Sequence, residues 1–198
     1  MFAQTMIFGR PLEIDFYDRP TLEVARDLLG CILVRRTGGK VMAGRIVETE
    51  AYIGQGDKAC HASKGITERT RVMFGPPGRA YVYLIYGMYH CLNIVTEREG
   101  FPAAVLLRGL EPVRGFEAAL KALKPARQRI FLNGPGRLCR EMKITRELDG
   151  HDMTVGSGLF VLPAEAKIAA QQVEQTPRIG VDYAGADALL PWRFVVRR

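Results

Sequence analysis

The chain has 198 residues, of which 47% are hydrophobic and 25% are charged, so it is long enough to bury a core and is not a disordered sequence. Its 28 Lys and Arg residues outnumber its 21 Asp and Glu residues and leave a formal charge of +7, which favours a polyanion such as nucleic acid as partner. The four cysteines include no CxxC pair, which argues against a disulfide framework and a zinc knuckle.

The beginning of the chain, MFAQTMIFGRPLEIDF, has neither the long apolar run nor the basic leader of a signal peptide. No later run of about 18 apolar residues could span a membrane. We therefore expect a soluble, cytoplasmic protein, associated with the nucleoid in a bacterium or located in the nucleus of a eukaryote. We also expect one monomeric domain over residues 1–198, with flexibility in residues 1–10.

The first predicted element is a short helix over residues 20–29, where apolar residues recur at helical spacing and Gly30 occupies the C-cap position. Two β-rich runs follow at residues 31–36 and 41–49, separated by the turn sequence TGGK. Residues 55–78 are polar and basic and predict a long loop. Loops of that length in compact domains are usually functional or mobile.

The second half of the chain predicts a hairpin from residues 80–86 and 88–96, and then a strand over residues 103–109. The later predicted elements are two helices, 117–124 and 137–142, and two strands, 159–162 and 193–196. Strands arranged in hairpins with a few helices indicate an α+β fold. We predict a single domain with a curved, mainly antiparallel β-sheet that is flanked by helices and carries a protruding β-hairpin.

The predicted hairpin contains YVYLIYGMYH, with four of the seven tyrosines of the chain. Strand alternation puts Tyr81 and Tyr83 on one face and Tyr86 on the other. Gly87 allows the chain to reverse, so Tyr86 is predicted at the tip, where an aromatic ring could enter a base stack. For Tyr81 and Tyr89 we favour a simpler interpretation, in which the rings cover a sheet face.

The sequence VETEAY places Glu48, Glu50 and Tyr52 on one face at the end of a predicted strand. Strand ends that feed loops are suitable places for catalytic side chains. By spacing alone, however, a surface acid in a salt bridge is the simpler interpretation of Glu50.

Seven motifs occur in order along the chain, followed by PWRFVVR: VETEAY (47–52), DKACH (57–61), MFGPPG (73–78), YVYLIYGMYHCLN (81–93), VLLRGLEP (105–112), NGPGRLC (133–139) and PRIGVDYAG (177–185). Together they resemble the alkyladenine DNA glycosylase family, also called 3-methyladenine or N-methylpurine DNA glycosylases. The resemblance extends from about residue 19 to residue 197 and covers nearly the whole chain.

This resemblance implies a base-excision-repair enzyme that acts on double-stranded DNA. It would flip out alkylated or deaminated purines, of the 3-methyladenine, 7-methylguanine and hypoxanthine class, and hydrolyse the N-glycosidic bond. The resemblance implies neither a metal nor an organic cofactor. No lysine nucleophile is required for direct displacement by water, so we expect a monofunctional glycosylase without lyase activity at the abasic site.

Position by position, the resemblance also implies roles for particular residues. Glu50 matches the general base that activates the attacking water, and Arg108 matches the residue that positions this water and a nearby phosphate. Ile179 matches a position whose main-chain carbonyl helps to hold the water.

The same resemblance implies a pocket for the flipped base. Its walls match Tyr52, His61 and Tyr83, and Asn93 matches a pocket residue that clashes with the 2-amino group of guanine. Tyr86 matches the residue inserted into the vacated stack, and we assign Met88 beside it as a second intercalating residue.

Two weaker patterns concern charged residues and metal ligands. Arg69, Arg71 and Arg79 are candidate phosphate contacts, although a solvated basic loop explains each of them equally well. Cys60 and His61 have no second ligand at a useful spacing, so we predict no metal site.

Two other functions remain open at this stage. A nonenzymatic nucleic-acid-binding module could use the same tyrosines only for stacking. A nucleoside or sugar hydrolase could use the carboxylate on small molecules without binding DNA, and its activity would depend only weakly on salt.

Overall fold

The computed structural model describes residues 9–197. Within this range the strands are β1 (Ile32–Thr37), β2 (Lys40–Ile53), β3 (Ala80–Ile85), β4 (Tyr89–Val95), β5 (Ala103–Arg114), β6 (Leu159–Leu162), β7 (Val173–Thr176) and β8 (Arg193–Val196). The α-helices are α1 (Ile14–Tyr17), α2 (Thr21–Asp27), α3 (Glu117–Lys121), α4 (Pro125–Gln128) and α5 (Pro135–Glu141). Short 3₁₀ helices occupy His61–Lys64, Arg71–Phe74, Arg146–Leu148, Ala170–Gln172 and Asp182–Leu189.

The strands form one antiparallel sheet with the order β3-β4-β5-β2-β1-β6. β8 pairs with the C-terminal half of β2, and β7 pairs with the other edge of β8. Strand β2, at 14 residues, is the longest and pairs with β1, β5 and β8. The site described below is built around the second half of this strand.

Strand β2 does not pair regularly along its whole length. The pairing of β2 with β5 shifts between Ala43 and Gly44, between Ile46 and Glu48, and between Glu48 and Thr49. Irregularities of this kind bend a strand and increase its local twist. They allow a single sheet to curve around the core.

The main core lies between the sheet and the helices that cover it. Helix α2 packs on β2 and β5, and α5 packs on β4 and β5. The buried side chains there are almost all aliphatic or aromatic, including Leu33, Ile46, Leu92 and Leu107. A smaller cluster under the 3₁₀ turns of residues 61–74 packs on the other side of the β3–β4 hairpin.

The predicted α+β class, the curved antiparallel sheet, the flanking helices and the protruding hairpin are confirmed. Strand β5 continues to Arg114, five residues beyond its predicted end. The four-residue helices α1 and α4 and strand β7 were not predicted. The expected flexibility of residues 1–10 falls mainly on residues 1–8, outside the described residues.

Within residues 9–197, no helix combines the length and the apolar character needed to cross a membrane.

Candidate active site

A pocket of about 710 Å³ opens beside the β3–β4 hairpin. Its walls come from the hairpin, the ends of β2 and β5, the loop that carries His61 and Arg69, and two later segments, 133–137 and 179–183. This volume lies within the range of about 300–1,000 Å³ that is common for small-molecule sites. The pocket therefore gathers residues from sequence positions more than a hundred residues apart.

Glu50 lies directly beneath the pocket and is 0% exposed. Its Oε2 accepts a hydrogen bond from the hydroxyl of Tyr52 at 2.8 Å and another from Nη1 of Arg108 at 3.2 Å. Its Oε1 accepts the main-chain N–H of Ile179 at 2.8 Å. The three donor residues line the pocket, so the carboxylate lies against the pocket wall. The surface position that spacing alone favoured for Glu50 is wrong.

A second acid shares the guanidinium of Arg108. Glu48 Oε1 accepts from Nε of Arg108 at 3.3 Å and from Nε of Arg193 at 2.7 Å. Arg193 is held in turn by the hydroxyl of Thr176 at 2.9 Å. Glu48, Glu50, Tyr52, Arg108 and the N–H of Ile179 form what we call the carboxylate network. Glu48, Glu50 and Tyr52 lie on one face of β2, as the strand alternation predicted.

Aromatic rings form one side of the pocket. The rings of His61 and Tyr83 meet edge to face with centroids 4.6 Å apart, and Nδ1 of His61 lies 2.9 Å from the hydroxyl of Tyr81. The guanidinium of Arg69 lies over the ring of Tyr83, with its central carbon 4.9 Å from the ring centroid. Tyr81 is thus part of the pocket, and its assignment as a simple sheet cover was incomplete.

Burial sets the protonation of these groups. Desolvation, followed by the charge of Arg69, lowers the pKa of His61 to about 4, so the imidazole is neutral near pH 7. Desolvation also raises the pKa of Tyr52, with a further contribution from Glu50, and raises the pKa of Tyr81 to about 12. The phenols therefore remain protonated, and Tyr52 donates to Glu50.

Asn93 is buried in the wall of the pocket at 4% exposure. Its Nδ2 donates a hydrogen bond to the main-chain oxygen of Tyr81 at 3.1 Å. This contact fixes the amide across the β3–β4 pair, where Tyr81 is the direct partner of Asn93. The side chain is therefore held in one orientation beside the space where a ligand would lie.

The hairpin tip, which we define as Tyr86, Gly87 and Met88, is exposed to solvent, in contrast to the buried Asn93. Tyr86 is 83% exposed and Met88 is 65% exposed. Both Tyr86 and Gly87 have positive φ angles, 53° and 69°, which end the strand alternation after Ile85. Tyr86 therefore lines the pocket together with Tyr81 and Tyr83, and the prediction that it faces the other side of the sheet is wrong.

A family description fits the molecule over nearly its full length. The family model for methylpurine-DNA glycosylases matches residues 15–198. The chain belongs to the methylpurine-DNA glycosylase family. The resemblance drawn from the motifs is thereby confirmed.

Several relatives align with more than nine tenths of this chain. A protein of Methanocella arvoryzae is 60% identical over 182 residues, which cover 91% of this chain and 89% of the relative. Relatives from Myxococcus xanthus and Alkaliphilus oremlandii are 50% identical over 182 residues and 49% identical over 196 residues. The alignments cover 92% and 94% of this chain and 88% and 95% of the relatives. All three carry the name "Putative 3-methyladenine DNA glycosylase".

The site residues that the resemblance implied come together in the structure. Tyr52, His61, Tyr83, Tyr86, Asn93, Arg108 and Ile179 line one pocket, with Glu50 beneath them. Met88 lies at the exposed hairpin tip beside it. The group of Ile179 that faces Glu50 is its N–H, whereas the resemblance pointed to its carbonyl.

Sequence reasoning missed the buried ion pair of Asp57 and Arg178 and the position of Arg69 over Tyr83. Both members of the ion pair lie in motifs that carried the resemblance, DKACH and PRIGVDYAG, and this was the signal that could have found them. Among residues 9–197, no group of three or more His, Cys, Asp or Glu side chains could hold a metal ion.

Proposed function

We propose that this chain is a DNA repair glycosylase that releases alkylated or deaminated purines from duplex DNA. The family, the names of the relatives and the formal charge of +7 support DNA as the substrate. The substrate class that we propose comprises 3-methyladenine, 7-methylguanine and hypoxanthine. A pocket walled by aromatic rings suits a flat base that has left the helix.

The damaged nucleotide would turn out of the duplex before reaction. Unstacking and unpairing a base costs about a few kcal/mol, and least for a lesion that pairs poorly. The rings of Tyr52, His61 and Tyr83 would recover roughly 1–3 kcal/mol through stacking. A purine that carries the positive charge of alkylation gains further from the faces of the tyrosines.

The exposed ring of Tyr86 would occupy the gap that the flipped nucleotide leaves in the stack. An aromatic or apolar side chain that enters a base step supports the distorted duplex. Met88 lies next to it at the hairpin tip and is also exposed. In the free protein these side chains contact solvent, so DNA supplies the apolar environment that the folded chain does not.

One observation carries the chemical part of the proposal, namely the contacts of the buried Glu50 carboxylate. A carboxylate offers about four acceptor positions. Two on Oε2 are taken by Tyr52 and Arg108, and one on Oε1 is taken by the N–H of Ile179. The fourth position is on Oε1, and we propose that the attacking water binds there.

In this mechanism the bond between the purine and C1′ breaks, and its electron pair leaves with the base. Positive charge develops at the sugar, where the Glu50 carboxylate stabilises it and takes a proton from the attacking water as the water oxygen bonds to C1′, as in glycoside hydrolysis. A cationic alkylated purine leaves as a neutral base, whereas hypoxanthine also takes up a proton as it leaves. Arg108 fixes the carboxylate through Oε2. The products are the free base and an abasic site with an intact DNA backbone.

The enzyme that we propose is monofunctional. An abasic-site lyase of the Schiff-base type needs an amine nucleophile at C1′. No described lysine lines the pocket, whose charged lining residues are Arg69, Arg108, Arg137 and Arg140. Water remains the nucleophile that the residues around Glu50 suit best.

Asn93 would exclude normal guanine from the pocket. Its buried amide is fixed by the main-chain oxygen of Tyr81, so it cannot turn away at low cost from the 2-amino group of guanine. A built-in clash rejects the wrong ligand more strongly than one missing contact does. We expect Asn93→Ser to increase the release of guanine, measured as free base from undamaged duplex; unchanged guanine release would contradict this role.

The test of the function is the release of free base from duplexes that each carry one defined lesion. The wild-type protein should release 3-methyladenine, 7-methylguanine or hypoxanthine and leave the strands uncut. Glu50→Gln should still bind the lesion duplex but lose about 100- to 10,000-fold in release rate. Binding without release by the wild type would instead indicate a nonenzymatic binding module.

A salt titration separates DNA repair from the hydrolysis of small molecules. If DNA is the substrate, activity at subsaturating duplex should fall steeply between about 50 and 200 mM salt, because counterions compete with the cationic side chains. Release of base from free nucleosides, with little dependence on salt, would contradict the proposal.

A further inference from the structure

A buried ion pair joins the segment after β2 to a segment 121 residues later. The side chain of Arg178 is 0% exposed and that of Asp57 is 1% exposed. Nη1 and Nη2 of Arg178 donate to the two carboxylate oxygens of Asp57 at 2.6 and 2.8 Å. The pair is thus bidentate and closed to solvent.

Stability alone is a weak reason for a protein to contain such a pair. Both charges lose their hydration, and apolar residues of similar volume often stabilise a fold as well or better. Nε of Arg178 is also buried without a hydrogen-bond partner among the described residues. Its guanidinium is therefore oriented by particular neighbours and is not arranged to satisfy every donor.

The Asp57 side of the pair fixes two parts of the chain that border the pocket. Its Oδ2 accepts the N–H of Ile53 at the end of β2, at 3.1 Å, and its Oδ1 accepts the N–H of Ala59 at 3.0 Å. Ala59 lines the pocket and lies two residues before His61. The carboxylate thus connects the strand that carries Glu50 to the loop that carries the His61 wall.

The Arg178 side fixes two of the three donors to Glu50. Nη1 of Arg178 donates to the main-chain oxygen of Ala51 at 2.9 Å, and its guanidinium lies 4.8 Å from the ring centroid of Tyr52. Tyr52 donates to Oε2 of Glu50. The residue after Arg178 is Ile179, whose N–H donates to Oε1.

We infer that the Arg178–Asp57 ion pair is a positioning unit that sets the orientation of the Glu50 carboxylate and of the Tyr52 ring. It reaches Glu50 by two routes, one through the phenol of Tyr52 and one through the main chain of Ile179. Neither Arg178 nor Asp57 lines the pocket, so the pair acts on the reaction only through these neighbours. The inference rests on the proposed function for its effect on rate, but not for its effect on the position of Ile179.

The kinetic test compares Arg178→Lys with a matched control. Arg19 pairs with Asp27 at 2.9 Å and lies 4.8 Å from the ring centroid of Phe16, away from the pocket lining. Arg178→Lys keeps the charge but cannot make the bidentate contact. We expect its single-turnover release rate to fall about 10- to 100-fold with little change in the Kd for lesion duplex, and Arg19→Lys to change neither.

A double-mutant cycle tests whether the two residues act as one unit. Asp57→Asn, Arg178→Met and the double variant are compared for release rate below their melting temperatures. If the pair acts as a unit, the double variant loses much less than the product of the two single losses. Multiplicative losses would overturn the inference, and if Arg178→Met does not fold, Arg178→Lys takes its place in the cycle.

Amide hydrogen exchange at Ile179 supplies a readout that does not depend on activity. The hydrogen bond to Glu50 should protect this amide in the wild type and in Arg19→Lys, and the protection should fall at least about tenfold in Arg178→Lys. If the wild type releases no base but this pattern holds, the proposed function fails and the positioning role stands. If base is released but the protection and the rate of Arg178→Lys match the wild type, the positioning role fails and the function stands.

Discussion

The carboxylate network and the hairpin tip border the same pocket but are built in opposite ways. Glu50 is 0% exposed and has donors on both oxygens, whereas Tyr86 is 83% exposed and has a positive φ. Groups that stabilise developing charge act best when they are already oriented, because no reorganisation is then needed during the reaction. A side chain that enters DNA must instead be free of contacts within the protein.

This difference predicts that variants of the two regions fail in different ways. Changes in the network should lower both stability and reaction rate, because its charges are buried together. Changes at the tip should leave stability unchanged and weaken only the engagement of DNA. Four variants probe these two regions and the aromatic wall of the pocket, beginning with the largest expected effect.

Arg108→Met should have the largest effect. It would remove the cation shared by Glu48 and Glu50, whose side chains are 10% and 0% exposed. Removing one partner of a buried ion pair typically lowers the free energy of unfolding by about 3–5 kcal/mol. Urea denaturation measures this loss, and Arg137→Met, at an exposed residue, is the control. A loss below about 1 kcal/mol would contradict the description of the network as a buried unit.

His61→Asn should change how stability depends on pH. The folded pKa of His61 is lowered to about 4 from an ordinary value of 6.5, so the unfolded chain binds more protons between these pH values. The contribution of the neutral imidazole to the free energy of unfolding is fully present above about pH 6.5. It is lost as the pH falls towards 4, by on the order of 3 kcal/mol.

The asparagine can keep the hydrogen bond to Tyr81 but cannot titrate. Thermal unfolding between pH 4 and 7 should therefore show a smaller decline towards low pH in His61→Asn than in the wild type. Parallel curves for the two proteins would mean that His61 is not buried as described.

Tyr86→Ala tests the tip. Its ring is exposed, so the free energy of unfolding should change by less than about 0.5 kcal/mol. Loss of one stacking ring should weaken the engagement of a well-paired lesion by roughly 1–3 kcal/mol, measured from the duplex concentration that gives half-maximal release. Tyr86→Phe keeps the ring and should behave as the wild type. An equal loss for well-paired and poorly paired lesions would contradict the role of a wedge.

Ile179→Ala should have the smallest effect. The side chain of Ile179 is 49% exposed, and the group that contacts Glu50 is its main-chain N–H. The rate of base release should stay within about twofold of the wild type. A tenfold loss would show that the network extends into the Ile179 side chain.

Local sequence patterns were sufficient for most of the fold. The TGGK turn and the alternating β-rich runs predicted the β1–β2 hairpin, and the Tyr-rich run predicted the β3–β4 hairpin. Strand β7 escaped prediction because Val173–Thr176 has no apolar alternation and lies at the sheet edge, paired only with β8. The position of Tyr86 was also missed, because the alternation rule assumes extended backbone and its φ is positive.

The site was only partly predictable. The family resemblance identified the residues that meet in the pocket, but spacing alone described Glu50 as a surface acid. Arg178 was not considered because arginine is usually exposed, and its partner lies 121 positions earlier in the chain. Burial of such a pair depends on how distant segments of the chain pack together, and local sequence patterns do not predict that packing.

The segment of β2 that carries Glu50 is bordered by β5 on one side and by β8 on the other. A strand hydrogen-bonded along both edges opens only when the sheet around it comes apart, while a two-stranded extension such as the end of the β3–β4 hairpin can fray by itself. On warming, the protein should therefore lose affinity for duplex DNA before the hydrogen bonds around Glu50 are disrupted. Inactivation at moderate heat would then be reversed simply by cooling, without any need to refold the strands around Glu50.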